Sequence, residues 1–149
     1  MRIYLDVCSL QRPLDSKSQV RIILEAEAVL GILAFCETGE IELVSSDAIR
    51  YEIEGCPNIT RREYTFEVLS IAKVDVRLNE SVEKRARKFS LVNIRPLDAL
   101  HLAMAEHAQV DYFCTCDDDF LKKAKALKNL KVKAVSPIEL VGEIESWTQ

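Results

Sequence analysis

The sequence predicts an α/β fold, a three-layer α/β/α sandwich with a central parallel sheet, and three observations carry that prediction. Short β-rich runs and longer helical patterns alternate along the whole chain, as strands joined by crossover helices do. The opening run, Arg2-Ile3-Tyr4-Leu5, is apolar enough for a strand covered on both faces. Acids stand where such runs stop: Asp6 after the first, and Asp117, Asp118 and Asp119 after Tyr112-Phe113-Cys114-Thr115. Open α/β sheets gather ligands beyond the carboxyl ends of their strands, so these acids are the first candidates for a site.

Taken in order, the first strand spans Arg2 to Val7, with Asp6 at its end, where burial is costly without a partner. A turn from Ser9 to Asp15 follows, punctuated by Pro13. Ser16 or Ser18 is placed to cap a helix that runs to about Cys36 and shows Val20, Ile23, Leu24, Ala28, Leu30, Ile32 and Phe35 near helical spacing. Gly39 is its stop signal. Ile41 to Val44 is a second strand, and Ser45 or Ser46 caps a short helix holding Glu52, closed by Gly55 and Pro57. Asn58 or Thr60 begins another helix, and Lys73 to Val76 is a short third strand.

Asn79 caps a helix of mixed polarity from Glu80 to Leu91. Pro96 suits the first position of the next helix, in which Leu97, Leu100, Met104 and Ala108 form a narrow buried stripe. Tyr112 to Thr115 is the fourth strand, Phe120 to Leu127 a helix with a lysine-rich outer face, Val132 to Val135 the last strand and Pro137 to Glu145 a terminal helix. No repeat, linker or low-complexity segment interrupts this order, and 149 residues suit one domain over residues 1–149.

Composition narrows the classes of function. Hydrophobic residues make up 48% and charged residues 30% of the chain, which excludes a disordered protein. A net charge of −4 argues against gripping nucleic acid through bulk positive charge, while leaving room for local basic groups. The five cysteines, at 8, 36, 56, 114 and 116, are odd in number and sit mostly in or beside apolar runs. They read as reduced, largely buried thiols rather than a disulfide framework, and no second cysteine or histidine pair completes a zinc site. No basic leader precedes a long apolar stretch, and no run approaches a membrane span, so a cytoplasmic protein is expected.

The acids can act together. Parallel strands bring their C-terminal ends to one edge, so Asp6 and the acids after Thr115 are expected as neighbours there. Glu52 and Asp98 lie early in helices that start near the same edge. Several carboxylates within a few ångströms repel one another unless a cation is present. Hard divalent ions, Mg²⁺ or Mn²⁺, favour all-oxygen sites of this kind. Such ions orient and deprotonate water and offset transition-state charge, which is the chemistry of phosphodiester hydrolysis. Singly, each acid has an ordinary explanation as a turn, cap, dipole or surface residue. Their order and placement together point to the site.

Four segments, IYLDVCSLQRP, SSDAIRYEIEG, RPLDALHLAMAEH and TCDDDF, resemble the PIN-domain family, which includes VapC-type toxins of toxin–antitoxin pairs. The likeness covers nearly the whole chain and implies a PIN-like fold. It matches Asp6, Glu52, Asp98 and Asp117 to the catalytic, metal-binding acids, with Asp119 as the fallback for Asp117. It also makes Thr115 a hydroxyl that orients a carboxylate. The chain departs from the family where Val7 and Cys8 replace the polar residues that often follow the first Asp; Ser9 is placed to compensate.

What the resemblance implies is a Mg²⁺- or Mn²⁺-dependent endoribonuclease acting on RNA, with a small antitoxin protein as partner and a homodimeric state. The alternative is a catalytically silent PIN-like module that binds RNA or protein. A receiver-type phosphoacceptor fits less well, since it needs paired acids after the first strand and an Asp ending the third. No glycine-rich Lys-Ser/Thr loop suggests nucleotide binding. His101, three residues after Asp98, shares its helix face and reads as a packed, hydrogen-bonded residue rather than a general base. Glu25 and Glu27 read as solvated, with an approach of Glu25 to the acidic edge as the alternative, and His107 reads as exposed. Arg12, Arg50, Arg61, Arg62 and the Lys84–Lys88 cluster are the candidate phosphate contacts.

Overall fold

The structure, a computed structural model, describes residues 1–148. Five strands, β1 (Arg2–Leu5), β2 (Glu42–Ser46), β3 (Val74–Val76), β4 (Tyr112–Cys114) and β5 (Lys133–Val135), form one parallel sheet in the order β3-β2-β1-β4-β5. Eight α-helices flank it among the described residues: α1 (Val7–Leu10), α2 (Val20–Glu37), α3 (Asp47–Glu54), α4 (Ile59–Leu69), α5 (Glu80–Ser90), α6 (Pro96–His107), α7 (Asp118–Ala126) and α8 (Pro137–Thr148). The α/β sandwich expected from the alternating pattern is therefore what the chain forms. No helix among the described residues is long and apolar enough to cross a membrane.

The strand order matters for function. From β1 the chain moves one way to β2 and β3, then returns to place β4 and β5 on the other side of β1. The seam between β1 and β4 is thus the topological switch point, where open sheets leave a crevice. Register pairs Tyr4 with Phe113 and Leu5 with Cys114 across that seam. The Tyr4 and Phe113 rings stack, centroids 5.3 Å apart, and Phe120 meets Phe113 edge-on at 5.5 Å. These aromatic contacts fix both strand ends that carry acids.

Several boundaries differ from the sequence reading for local reasons. The first strand stops at Leu5, not Val7, because Asp6 caps a helix: its Oδ1 accepts the Ser9 amide at 3.1 Å, and α1 begins at once. A 3₁₀ turn at Arg12–Leu14 completes the segment expected to be a simple turn. Neither Ser16 nor Ser18 caps α2, whose N-cap is Gln19 without a side-chain bond. Ser46, Asn58 and Asn79 do cap α3, α4 and α5. Gly39, with φ of 85°, adopts the left-handed conformation just past α2.

The buried face of α2 is not the expected one. Glu25, Ala26, Val29, Ile32, Leu33 and Cys36 face inward, while Val20, Ile23, Leu24, Leu30 and Phe35 are exposed. The helix is apolar nearly all round, so spacing alone could not select a face. In α6 the narrow stripe widens: Ala99 and every residue from His101 to Ala105 are buried, and Leu97 and Leu100 only partly so. This helix packs against both α5 and α3, which covers more than one side.

Candidate active site

A cleft of about 460 Å³ opens at the β1–β4 seam and is lined by Asp6, Val7, Cys8, Arg12, Glu52, Arg95, Leu97, Asp98, His101, Cys116 and Asp117. Four acids far apart in sequence thus meet where the topology predicts a crevice. Asp6 closes β1, Glu52 rides on α3, Asp98 lies in the first turn of α6, and Asp117 is the N-cap of α7. Asp119 is not among them. It is exposed in the first turn of α7, because the helix starts one residue after Asp117 and rotates Asp119 outward.

Each acid is held differently. Asp6 is buried and accepts, on Oδ1, the Ser9 amide at 3.1 Å and the Cys8 thiol at 3.1 Å. Burial pushes its carboxyl up, opposed by hydrogen bonding from Thr115 and Cys8. Cys8 therefore does not leave a polar gap beside the first acid: its S–H supplies the donor. Ser9 contributes its amide to Asp6, but its hydroxyl turns to the Cys114 carbonyl at 3.3 Å and to the Cys116 sulfur at 3.6 Å, so it does not replace a hydroxyl there. Cys8 is also exposed, contrary to the expectation of a buried thiol.

Thr115, fully buried after β4, receives the Asp117 amide on Oγ1 at 3.1 Å and lies 3.5 Å from the Cys8 sulfur. It braces the turn that presents Asp117. Asp117 Oδ1 accepts the Phe120 amide at 3.1 Å, capping α7. Glu52 Oε1 lies 2.8 Å from His101 Nε2, and His101 Nδ1 lies 2.6 Å from the Tyr4 hydroxyl, which in turn lies 2.7 Å from Ser46 Oγ. One assignment satisfies the chain: Ser46 donates to Tyr4, Tyr4 to Nδ1, and a protonated Nε2 to Glu52. His101 is thus packed and fully bonded, oriented toward an acid rather than free as a base.

Asp98 accepts no hydrogen bond from the described residues. Its carboxyl is pushed up to about 6, first by burial and then by the charges of Asp6 and Asp117. Glu52 and Asp117 each keep one oxygen without a donor among the described residues. This is a site short of positive charge.

Most of the basic residues singled out in the sequence are engaged elsewhere and do not line the cleft. Arg50 is tied to Ser45, Asp47 and Asp75; Arg61 to Leu14 and Asp15; Arg62 to the Cys56 carbonyl. Of the Lys84–Lys88 cluster, Arg85 grips Glu106 and covers the Phe89 ring, and none lines the cleft. Arg12 does line it. So does Arg95, which no sequence signal marked and which has no ion-pair partner among the described residues. Glu25, expected to be solvated, is buried against Arg12.

The PIN domain family description matches residues 3–126. The chain belongs to the PIN domain family. Its fold is also that of the crystal structure of VapBC2 from Rickettsia felis bound to a DNA fragment from their promoter. The TM-score there is 0.61 and identity 9%, covering 91% of this chain and 98% of that one. PAE2754 from Pyrobaculum aerophilum is similar at a TM-score of 0.58 and 15% identity, over 98% and 99% of the two chains. At such identities the likeness is one of fold. None of the curated proteins matches by sequence.

PIN domains are typically nucleases and generally use divalent metal ions. The donor set of this PIN domain suits a hard divalent ion: its acids offer carboxylate oxygen, and Asp98 accepts no hydrogen bond among the described residues. As the side chains stand, no three His, Cys, Asp or Glu among the described residues are drawn tightly enough to enclose one.

Proposed function

We propose that this PIN domain is a divalent-metal-dependent ribonuclease that cleaves RNA phosphodiester bonds and serves as the toxin of a toxin–antitoxin pair in the cytoplasm. The observation that carries the reading is the meeting of Asp6, Glu52, Asp98 and Asp117 in one cleft at the β1–β4 seam. These four residues would hold Mg²⁺ or Mn²⁺, which when bound supplies an activated water and compensation of charge at phosphorus. The chain's own contribution is positional. Ser9 and Cys8 fix Asp6, His101 fixes Glu52, and the α7 cap fixes Asp117, leaving Asp98 as the acid with the greatest need of a cation. Arg95, unpaired at the cleft, offers an anionic backbone a contact that the acids alone would repel.

The binding-only alternative drew on the loss of a polar residue beside Asp6, and the Cys8 thiol weakens that motive. The direct test is cleavage of single-stranded RNA with Mg²⁺ or Mn²⁺. Cleavage should require the metal and be abolished by Asp6→Asn or Asp98→Asn; binding without metal-dependent cleavage would favour the silent module.

The partner reading is supported by a second surface. Between α2 and α8 lies an apolar groove of about 420 Å³, walled by Leu24, Ile32, Phe35, Ile138, Val141 and Ile144. On its walls Leu24 and Ile138 are each about half exposed and Phe35 about a third, an apolar patch of the kind that marks interaction sites. The charged residues lining the groove, Glu27 and Glu145, are both acidic. A second copy docked by two-fold symmetry would set acids against acids, so the groove fits an amphipathic antitoxin segment with an apolar face and basic flanks. Ile138→Asp should then abolish antitoxin capture and leave RNA cleavage intact. Loss of a homodimer instead would assign the groove to self-association.

A further inference from the structure

We propose that Arg12 is the residue that anchors a substrate phosphate in this cleft, and that the buried Glu25 is the positioning residue that aims it; the inference rests on the ribonuclease reading. Glu25 sits in the second turn of α2 with 2% of its surface exposed. Its Oε1 accepts from Arg12 Nε at 3.0 Å and from Nη2 at 2.6 Å. Asp15 Oδ2 takes Arg12 Nη1 at 2.9 Å. Arg21 reaches the same Glu25 oxygen at 3.4 Å and the Cys116 carbonyl at 2.9 Å, and Arg61 holds the other oxygen of Asp15 at 2.8 Å.

A buried carboxylate is costly, and an apolar pair of similar volume would pack as well or better. What an apolar pair could not do is hold a cation at the rim of the acid cleft without letting it fall into the acids. None of the recorded bonds of Arg12 goes to Asp6, Asp98 or Asp117, although it lines the same cleft. An arginine at this position without other partners would be free to pair with the acids and compete with a divalent ion. Glu25 and Asp15 prevent this by taking three of the five guanidinium N–H groups. Two remain, one on each terminal nitrogen, on a guanidinium whose plane these bonds already fix. On this proposal an anion entering the cleft meets a guanidinium that it does not have to order.

The competing account is a structural clip joining the Arg12–Leu14 turn to α2. The double variant Arg12→Met/Glu25→Leu separates the two, because it removes both charges and leaves neither buried alone. RNA binding is measured with a single-stranded oligonucleotide in the non-cleaving Asp98→Asn chain, as a function of salt. Cleavage is measured in chains with Asp98 intact, and folding by urea titration.

The proposal expects the double variant to fold with near-parental stability. It should lose roughly tenfold in RNA affinity and flatten the logarithmic salt slope by about 0.7, the signature of one lost single-strand phosphate contact. Its kcat/KM should fall at least as far, mainly through KM. Glu25→Gln, which keeps an acceptor for Arg12, should show a KM defect of about threefold, in line with loss of a charge-assisted bond. Arg12→Lys should keep the salt slope while losing affinity, because the charge stays and the guanidinium goes.

Wild-type affinity, slope and KM in the double variant and in Arg12→Lys overturn the proposal and leave the ribonuclease reading standing. Absence of any RNA cleavage by the unaltered chain with Mg²⁺ or Mn²⁺ sinks that reading instead, while the binding slopes still decide on Arg12. Absence of RNA binding altogether sinks both.

Discussion

Glu52 Oε1 and His101 Nε2 lie 2.8 Å apart, so the acid of α3 is held by the helix that carries Asp98. The bond continues through Tyr4 on β1 to Ser46, the cap of α3. Three elements that supply the cleft are therefore locked to one another by a single buried polar chain. Such chains are stable only when every member is satisfied.

Breaking that chain should cost both stability and metal binding. Tyr4→Phe removes the link and leaves His101 Nδ1 without a donor, with an expected loss of about 1–3 kcal/mol in urea unfolding. His101→Leu frees Glu52 to turn away, and Mn²⁺ affinity should fall roughly 10–100-fold, as for other lost supports of a metal ligand. Unchanged Mn²⁺ affinity in a folded His101→Leu chain would mean that Glu52 needs no such support.

In the metal-free protein the contribution of Asp98 to stability should fall as pH rises through the weakly acidic range. The Asp98 carboxyl sits at about 6 in the folded chain against an ordinary 3.8. Between those values the folded chain keeps a proton that the unfolded chain has released, so the Asp98 contribution to stability falls as pH rises across that window. Asp6, also raised, acts in the same sense. Asp47, Glu139 and Glu143, whose carboxyls are lowered by their partners, act in the opposite sense on acidification, so the raw profile is mixed. The informative quantity is the stability of Asp98→Asn minus that of wild type, in chelator. It should grow from pH 4 to about 6 and then level; a difference that shrinks over that range contradicts the assignment.

Cys8 should be replaceable by serine but not by valine. Its S–H donates to Asp6 Oδ1, and a serine hydroxyl can do the same. Cys8→Ser is expected to keep Mn²⁺ affinity and cleavage within about twofold, whereas Cys8→Val should weaken both by roughly tenfold or more through the loss of a support to a ligand. Equal behaviour of the two would show that the thiol has no part in holding Asp6.

Asp117 and Asp119 should differ sharply. Asp117→Ala removes both a cleft acid and the α7 cap, so it should lose about 1 kcal/mol of stability together with activity. Asp119→Ala, at an exposed position, should change stability by no more than about 0.5 kcal/mol and leave cleavage unaltered. Comparable losses from both would reopen the question of which acid serves.

Much of this architecture was legible in the residues. The alternation of strand and helix signals specified the parallel sheet, and polar caps such as Ser46, Asn58 and Asn79 marked helix starts because their side-chain bonds are local. Asp6 and Asp117 sit at element boundaries and Asp98 in the first turn of α6, so strand direction brings them to one edge. Glu52, sixth of the eight residues of α3 and not early in its helix as expected, was singled out through the family resemblance. What depended on tertiary contact was not. The inward face of α2 could not be chosen from a helix apolar on all sides, and so Glu25 read first as solvated and only second as approaching the acidic edge, whereas it is buried. The roles of Tyr4 and Cys8 arise from a hydroxyl and a thiol that meet partners 97 residues away in one case and two in the other. Neither residue type announces such a bond in sequence.

The most direct test is a Mn²⁺ titration of the purified chain, followed by calorimetry or by the free-ion resonance signal. The account predicts saturable binding in the wild type that is lost in both Asp6→Asn and Asp98→Asn while each variant stays folded. Binding of equal strength in all three proteins would contradict the claim that these carboxylates share an ion.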